Sequence, residues 1–467
     1  MARELVSRSL AETLSAAQYA DLPTEVVEDA GRAVLDWLGS AFAGAVEPPA
    51  RMAQQVVSRL GSSDDATIFG AGRASSAGAA LANGVSSHIL ELDDVHKGST
   101  LHAGAPVISA ALAVAEREHT DAQAFLLAVV LGYEAALRIG EAVNPSHYRF
   151  WHPTGTAATF GAAVAAGSLL RLSAAQMLDA LGSAGTQAAG LWEFNADGAM
   201  SKHLHPGKAA FNGVLSAELA RQGFTGATRI LEGDRGFFRA TTDRYDPTRV
   251  TDGLGTRWKI RENCFKLHSC CGHTHTAIEV AIDLRQKSGW RSADALTRIS
   301  DVHIETYRSG YEIVNEMNPR TPYEAKFSLA YVVAAALLEG KVDLEQFSPE
   351  RFGPDGVADA DIARLLARTR VTIDRELTEK YPAAWPARLT ITLTDGGKLA
   401  GASDYPRGNP ENPVTTEQLE AKCRTLIGGR HGSELAERAI AAVREIESYE
   451  DMSAVFGDFA LPTGASA

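Results

Sequence analysis

Apolar residues recur at helical spacing through the first 260 residues of the chain. The same periodicity, three and four positions apart, continues through 122–142, 155–170, 173–190 and 206–222, and it is typical of one apolar helix face. Alanine and glycine are abundant in these stretches, and small residues let helices approach closely. We therefore expect a compact bundle with several buried helices. The clearest case follows Leu22-Pro23, at Val26, Val27, Ala30, Val34, Leu35, Leu38 and Phe42.

The pattern changes after about residue 260. The segments SDVHIETY, TRVTIDRE and ARLTITLTDGGKL alternate and carry β-branched residues, which predicts strands. Asp395-Gly396 is a hairpin signal, and helical stretches at 325–339 and 359–368 lie between the strands. This part of the chain is therefore predicted to be an α+β segment.

The last part of the chain returns to a helical pattern. A loop rich in proline and glycine runs from Pro406 to Pro413, and helical stretches follow at 415–426 and 434–448. Two short helices make a poor core by themselves, so we expect them to pack on the first helical segment. The predicted domains are a helical domain at 1–262, an α+β domain at 263–404, and a return to the helical domain at 405–467.

Composition and charge exclude several classes of protein. The chain has 467 residues, 45% hydrophobic and 22% charged, which suits two or three globular domains. A net charge of -13 argues against a nucleic-acid partner, although a pocket can be locally basic on an acidic protein. The N-terminus lacks the apolar core of a signal peptide, and no uncharged apolar run of about 18 residues predicts a membrane span. Four cysteines are too few for a disulfide scaffold, so we expect a cytoplasmic protein.

Three clusters of titratable residues lie in predicted connections or at predicted helix starts. Helix N-termini favour anions, and loops between rigid elements often carry sites. Each cluster also has a structural interpretation, as a solvated helix end, a helix cap or surface charge. The first contains Asp93, Asp94, His96, Lys97 and His102; the second contains His147, Arg149, Trp151 and His152; the third contains Lys202, His203, His205 and Lys208, before a helix start predicted at Pro206-Gly207.

The fourth cluster, NCFKLHSCCGHTH, brings zinc into consideration because thiolate and imidazole are zinc ligands. The spacing matches no common zinc pattern, and the adjacent Cys270 and Cys271 rarely serve one tetrahedral ion. We expect no metal, and a zinc hydrolase remains an alternative. The chain has no GxSxG elbow, P-loop or dinucleotide-binding fingerprint. Histidine, lysine and aspartate without such motifs favour acid–base chemistry on a small anion.

At these clusters the sequence resembles the MmgE/PrpD family. The resemblance implies an all-helical domain built from both chain ends, an inserted α+β lid domain and a homodimer, which gives a mainly α fold class. It implies activities such as 2-methylcitrate dehydratase, cis-aconitate decarboxylase or iminodisuccinate epimerase, with neither metal nor cofactor. The strings that carry it occur in family order: LDDVHKGSTLHAGAPVISAALA, WHPTGTAATFGAA, SKHLHPGKAAFNG, GFTGATRILEGDRGFF, FKLHSCCGHTH and PYEAKFSLAYVVAAALLEG.

The resemblance also implies the pocket residues Asp93, His102, His152, Lys202 and Lys266, and nearby residues of the clusters complete the set of candidates. The catalytic candidates are His102, His152, Lys202 and Asp93; the substrate-binding candidates are Lys266, Cys271, His96, Lys208 and Tyr311, with Tyr307 as a second tyrosine. This chain departs from the family in two places. His102 is followed by Ala-Gly rather than by Pro-Ser or Pro-Gly, and Cys271 stands where the decarboxylase carries a histidine, which makes decarboxylation less favoured.

The predicted function is a metal-independent dehydratase acting on a small hydroxy-polycarboxylate such as 2-methylcitrate. Proton removal next to a carboxylate needs a base and a fixed cation. We assign His102 as the likelier base, His152 as acid or substrate clamp, and Asp93 as the group that orients a histidine. Lys202 and Lys266 would supply the positive charge, with Lys266 facing the histidines from the lid. The alternatives are a decarboxylase, an epimerase or a carboxylate-binding protein without catalysis.

Overall fold

The computed structural model describes residues 5–460, apart from the side chains at positions 293, 458 and 460. The predicted domain ends at 1–4 and 461–467 lie outside the described residues. The mainly α class is confirmed. In chain order the helices are α1 (Val6–Ala16), α2 (Thr24–Gly44), α3 (Pro48–Leu60), α4 (Ser76–His88), α5 (Gly104–Glu118), α6 (Ala122–Val143), α7 (Ala157–Leu169), α8 (Ala174–Gly185), α9 (Phe194–Asp197), α10 (Ser201–Arg221), α11 (Phe237–Thr241), α12 (Thr248–Thr251), α13 (His275–Ser288), α14 (Ser292–Arg298), α15 (Arg308–Val314), α16 (Pro322–Ala325), α17 (Leu329–Glu339), α18 (Ala360–Leu366), α19 (Arg375–Lys380), α20 (Thr416–His431), α21 (Ser433–Arg444) and α22 (Ser453–Phe456).

Short strands and 3-10 turns complete the secondary structure. The strands are β1 (Ala66–Ile68), β2 (Gly72–Ala74), β3 (Ile299–Thr306), β4 (Phe352–Gly353), β5 (Gly356–Val357), β6 (Thr369–Ile373), β7 (Ala387–Leu393) and β8 (Lys398–Ser403). The 3-10 turns are Tyr19–Asp21, His147–Arg149, Lys259–Glu262, Gly272–Thr274, Leu344–Phe347, Pro349–Arg351, Ile446–Ser448 and Gly457–Ala460.

Within the described residues the chain divides into two compact units. Unit 1 comprises 5–89, 93–263 and 415–460, and unit 2 comprises 90–92 and 264–414. The chain returns from unit 2 to unit 1 between residues 414 and 415, whereas the sequence predicts this return between 404 and 405. The reason is that the loop rich in proline and glycine hydrogen-bonds within unit 2. In that loop Gly408 accepts from the Phe265 amide at 2.9 Å, and Asn409 accepts from Cys264 at 3.2 Å. The assignment of 90–92 to unit 2 was not predicted, and the lid role of the α+β segment stays a prediction.

Glycine allows the helices of unit 1 to pack closely. A Cβ at Gly161 of α7 would lie 2.5 Å from the carbonyl oxygen of Gly132 on α6, and a Cβ at Gly84 of α4 would lie 2.8 Å from Cα of Gly207 on α10. Any side chain at these positions would force the helices apart. The close contact of α4 with α10 matters for function because both helices carry candidate site residues.

The C-terminal helix α20 packs on α2 within unit 1. A Cβ at Gly39 of α2 would lie 3.2 Å from Cα of Cys423. Lys422 forms an ion pair with the buried Asp36 of α2 at 2.5 Å. The last helices therefore share a core with the first, which a pair of short helices needs for stability.

Among the described residues, one helix, α6, is long and apolar enough to cross a membrane by length and composition. In this structure 83% of its most apolar window is buried. The helix also contains the ion pair between Glu134 and Arg138, which are both fully buried. These are the features of a helix buried in a protein core.

Two local predictions for unit 1 are wrong. The segment predicted to be all-helical contains the antiparallel hairpin of β1 and β2, whose short strands are too brief to give a clear periodic signal. Helix α10 begins at Ser201, not at Pro206-Gly207, and Pro206 lies inside it. A proline so close to a helix start removes only one interior hydrogen bond, so the helix tolerates it.

Unit 2 contains a four-stranded sheet in the order β6-β3-β7-β8. Strand β3 pairs parallel with β6 and antiparallel with β7, and β7 pairs antiparallel with β8. Alternate residues of β3 are buried against the helices, as period-two strands require. Gly396 turns between β7 and β8 with φ of 87°, which explains the hairpin signal there.

Candidate active site

His102 lies in the loop between α4 and α5 of unit 1. Its Nδ1 is 2.6 Å from the backbone carbonyl oxygen of Asp94. A carbonyl oxygen only accepts, so Nδ1 carries the proton and Nε2 carries the lone pair of the neutral ring. The backbone amide of His102 also donates to Thr154 at 3.1 Å. The protein thus fixes both the position and the tautomer of this histidine, with Nε2 as its basic nitrogen.

Asp94 is a buried anchor for this loop. Its carboxylate accepts from Tyr133 at 2.6 Å, from Asn263 at 2.8 Å and from the amide of Gly104 at 3.0 Å. Burial raises the pKa of Asp94 to about 7, although the hydrogen bond from Tyr133 opposes the shift. Gly104 is the first residue of α5, so Asp94 joins the start of this helix to the carbonyl that holds His102.

His88 and His102 share the carboxylate of Asp93. His88 Nδ1 is 2.7 Å from Asp93 Oδ2, and His102 Nδ1 is 3.5 Å from the same oxygen. The two rings are 4.9 Å apart between centroids. The sequence predicts Asp93 as an orienting group but gives no such role to His88, the last residue of α4. An available signal was its position five residues before Asp93, where a turn after the helix can bring the two side chains together.

His152 pairs with His205 rather than with a carboxylate. Their Nδ1 atoms are 3.1 Å apart, so one ring donates and the other accepts. Burial lowers the pKa of His152 well below its usual range, and His205 and Lys202 lower it further. Burial, Lys208 and His88 lower the pKa of His205 to about 3. Both imidazoles are therefore neutral near pH 7 in the protein without substrate.

The two lysines of α10 differ in their surroundings. Lys202 is buried in the first turn of the helix, and its charge lowers the pKa of both His152 and His205. Lys208 instead donates to three backbone carbonyls, those of Gly155 and Gln187 at 3.2 Å and Ala189 at 2.9 Å. An ammonium group has three protons, so we assign Lys208 to holding the loop before α9 rather than to substrate binding.

His96 belongs to a separate polar network. Its Nδ1 is 2.9 Å from Ser99 Oγ, and its Nε2 is 3.5 Å from Glu262 and 3.7 Å from Glu141. The ammonium group of Lys259 lies between the same carboxylates, 2.9 Å from Glu141 and 3.0 Å from Glu262. Although burial opposes it, His96 and Lys259 lower the pKa of Glu262 to about 2. The structure therefore gives His96 a place in this network instead of in the histidine cluster.

Two groups of side chains in unit 1 have the composition and spacing of cation ligands. In the first, His88, Asp93 and His102, both Nδ1 atoms face oxygen acceptors at hydrogen-bond distance, so they carry protons instead of lone pairs for a metal. In the second, which includes His96, Glu141 and Glu262, the ammonium group of Lys259 already donates to both carboxylates. Hydrogen bonds and ion pairs thus hold the Nδ1 atoms of the first group and the carboxylates of the second.

The remaining predicted residues lie in unit 2. Lys266 Nζ is 3.5 Å from Glu91 Oε2, and both side chains are buried. Cys271 is buried, and its amide donates to the carbonyl of Lys326 at 3.0 Å. Tyr311 is partly buried in α15. The part that Lys266 would play in a composite site with the histidines of unit 1 stays a prediction.

The side chains of the Cys/His-rich segment have partners inside unit 2. His268 contacts Glu279 at 2.9 Å and the carbonyl of Val342 at 3.2 Å. Of the other histidines, His273 contacts Tyr307 at 2.5 Å and His275 contacts the carbonyl of Cys270 at 3.3 Å. Of the cysteines, Cys264 contacts Asn409 at 3.2 Å and Cys270 contacts Thr274 at 3.1 Å. The segment is thus explained as part of the fold.

Comparison with known proteins gives the family. Residues 8–250 match the MmgE/PrpD N-terminal domain and residues 268–448 match the MmgE/PrpD C-terminal domain. Similar proteins include a cis-aconitate decarboxylase-like protein, oryM, of Aspergillus oryzae (28% identity, 96% of each chain) and the cis-aconitate decarboxylase of Homo sapiens (27%, 96% of this chain and 93% of the relative). A 2-methylcitrate dehydratase-like protein, oryR, of A. oryzae is 26% identical over 56% of this chain and 53% of its own. By their names these relatives are lyase-type enzymes, and the chain belongs to the MmgE/PrpD family.

Proposed function

We propose that the protein is a lyase that dehydrates a small hydroxy-polycarboxylate, of which 2-methylcitrate is the first candidate. One observation carries the proposal: two imidazoles, His102 and His152, are held close together by different partners, with ring centroids 6.2 Å apart. Dehydration needs a base at carbon and an acid at the departing hydroxyl. Two histidines held independently suit a reaction that moves two protons.

The proposed reaction assigns one transfer to each histidine. His102 Nε2 takes a proton from the carbon next to a substrate carboxylate. A double bond forms as the hydroxyl on the neighbouring carbon leaves with a proton from His152, and the products are an unsaturated acid and water. Lys202 stabilises the negative charge that develops on the carboxylate, which is usually the largest contribution to such a reaction.

His152 must gain a proton before it can act as the acid. Its pKa is low because burial, His205 and Lys202 disfavour a positive charge there. Substrate carboxylates next to these groups reverse the local charge balance and raise the pKa of His152. Substrate binding would therefore protonate His152, which is neutral in the ligand-free protein.

Decarboxylation of cis-aconitate is the second candidate, because relatives with that activity in their names match 87–96% of this chain. That reaction loses carbon dioxide and delivers one proton to carbon, so it needs one of the two histidines. Cys271, which stands where the family's decarboxylase carries a histidine, favours dehydration. Epimerisation, which returns the proton to the opposite face, and carboxylate binding without turnover are the remaining alternatives.

A substrate panel distinguishes these functions. Purified protein is incubated with 2-methylcitrate, citrate, cis-aconitate and iminodisuccinate, in water and in deuterium oxide, and followed by ultraviolet absorbance and proton NMR. Dehydration converts a hydroxy acid into an absorbing unsaturated acid, and decarboxylation consumes cis-aconitate with release of carbon dioxide. Epimerisation exchanges a carbon-bound proton for deuterium without changing composition.

The His102→Ala variant, purified in parallel, controls for contaminating enzymes. The proposal expects fast turnover of a hydroxy acid by the wild-type protein and not by this variant. Exclusive turnover of cis-aconitate would replace dehydration by decarboxylation. A folded wild-type protein that binds these acids without turnover or deuterium exchange would be a binding protein.

Homodimer formation is a further proposal, which follows from the family resemblance. Unit 1 exposes apolar side chains that would suit a subunit contact, namely Phe150, Leu191, Met200 and Leu204. Light scattering on the purified protein would give its mass in solution. A mass equal to one chain over a wide concentration range would rule out the dimer.

A further inference from the structure

We propose that His88 is a positioning residue of the reaction, which acts on His102 through the carboxylate of Asp93. The inference rests on the proposed function, because it concerns the same base. His88 was not among the residues that the family resemblance implies. The geometry points to it because its ring lies 4.9 Å from His102 and 5.7 Å from His152 between centroids.

His88 lies at the end of a rigid element. It is fully buried at the last position of α4, and α4 is pressed against α10 at Gly84 and Gly207. Helix α10 carries Lys202 and His205. The helix contact therefore fixes His88 relative to these candidate residues, and a site built on helices is more exact than one built on loops.

The contacts of Asp93 indicate what His88 does. An ionised carboxylate only accepts hydrogen bonds, so we assign His88 Nδ1 as the donor in its 2.7 Å contact with Asp93. The same oxygen is 3.5 Å from His102 Nδ1. His88 makes the shorter contact and so fixes the carboxylate, whose negative charge then lies beside His102. When His102 Nε2 takes a proton from substrate, that charge stabilises the resulting imidazolium.

His88 also has a feature that packing alone does not explain. Its Nε2 is buried, and this atom has no hydrogen-bond partner among the described residues. A buried nitrogen without a partner destabilises the folded state. A leucine of similar volume would fill the space without this cost. A leucine could not donate a hydrogen bond to Asp93, as His88 Nδ1 does. This donor is a reason for a histidine at this position.

Two variants separate positioning from packing. His88→Leu keeps the approximate volume and removes the donor. His88→Asn keeps an N–H group the same number of bonds from Cα as Nδ1. With the substrate that the panel identifies, we expect His88→Leu to lower kcat roughly ten- to a hundred-fold, the usual effect of losing a group that orients a reacting residue, with KM changed by less than about three-fold because the cationic groups remain. His88→Asn should recover most of kcat.

Asp93→Asn tests whether His88 acts through Asp93. If it does, the double variant with His88→Leu should be no slower than Asp93→Asn alone, because the two changes interrupt one chain of contacts. His431→Leu is the stability control. It removes a histidine of unit 1 that contacts the Phe42 carbonyl at 2.8 Å, and it should lower the melting temperature without changing kcat.

Circular dichroism and thermal unfolding establish that each variant folds. A folded His88→Leu protein with kcat within about three-fold of wild type would overturn the inference, as would a His88→Asn protein as slow as His88→Leu. If His88→Leu does not fold, His88→Met takes its place with the same expected loss of kcat, because methionine also lacks a donor for Asp93 and its flexible side chain adapts to the site. A wild-type protein inactive on the whole panel would remove the proposed function and this inference with it, whereas an active wild type with an active His88→Leu removes only the inference.

Discussion

The two units bury histidines in different ways. In unit 1, His88, His102, His152 and His205 lie against one another and near the charge of Lys202. In unit 2, the three histidines of the Cys/His-rich segment each contact a separate partner, a carboxylate, a phenol or a backbone carbonyl. Unit 2 also has a histidine pair, His268 and His275, with ring centroids 5.1 Å apart. Unit 1 differs because it brings four imidazoles together beside a lysine that lowers the pKa of two of them.

This comparison shows that a perturbed pKa alone does not locate a site. Burial lowers the pKa of His273 in unit 2 to about 3, as it does for His205 in unit 1. The difference lies in the neighbours. His273 contacts Tyr307 and lies beside Trp385, and one lysine, Lys266, lowers its pKa further. His205 lies beside His152 and Phe194, and Lys208, His88 and Lys202 lower its pKa. A cluster of like groups costs stability, and such a cost is typical of functional sites.

The largest effect that would test this comparison is loss of the base. His102→Ala should lower turnover on the order of a hundred-fold or more, the contribution of a positioned base, while folding and some substrate binding remain. His119→Asn is a matched control, because this exposed histidine lies outside the cluster and has φ of 52°, which asparagine tolerates. Steady-state kinetics with circular dichroism measure both. A folded His102→Ala protein with near wild-type turnover would make His152 the first alternative as base.

The sequence predicted the helices and strands better than it predicted their ends. Long periodic stretches such as 122–142 correspond closely to α6, because a buried helix imposes its period on many residues. The start of α10 was placed five residues too late, because Pro206 was taken as a helix boundary. The short β1–β2 hairpin had too few residues for a periodic signal.

The sequence marked only part of the histidine cluster of unit 1, for a similar reason. His102, Asp93, His152 and Lys202 stand in recognisable strings, whereas His88 ends an apolar helix and nothing in its local sequence marks it. The partner of His102 Nδ1 is a backbone carbonyl, which residue types cannot reveal. Lys208 had the composition of an anion-binding residue, yet three carbonyls occupy its ammonium group, a property of the loop conformation.

The second test compares the two lysines of α10. Lys202→Ala should lower kcat/KM by about ten- to a hundred-fold, the usual cost of losing a charge-assisted hydrogen bond, and both kcat and KM should change because the charge meets substrate and transition state. Lys202→Gln should be intermediate, because it keeps a donor without the charge. Lys208→Gln should lower the melting temperature and change kcat/KM less. If Lys208→Gln lowered kcat/KM more than Lys202→Gln does, Lys208 would be assigned to substrate binding instead.

The third test concerns the uptake of protons when a polycarboxylate binds. Because His152 and His205 have lowered pKa values, they are neutral at pH 7 in the ligand-free protein. A polycarboxylate raises the pKa of the nearby imidazole, so binding should take up as much as about one proton per site. Uptake should decrease as the pH is raised above the pKa reached in the complex. Calorimetry in buffers of different ionisation enthalpy measures it, with His152→Asn as the control, and equal heats in all buffers would show that no histidine changes protonation on binding.

The smallest effect is expected in the Cys/His-rich segment of unit 2. Burial raises the pKa of Cys270 to about 12, so its thiol stays protonated at neutral pH and is a poor metal ligand. Its Sγ contacts Thr274 Oγ1 at 3.1 Å. Dialysis against a chelator should leave turnover unchanged, and Cys270→Ser should alter the melting temperature by only a few degrees with kcat unchanged, because the hydroxyl can keep the contact with Thr274. Loss of turnover on dialysis, restored by zinc, would instead show that this segment holds a metal and would end the contrast between the two units.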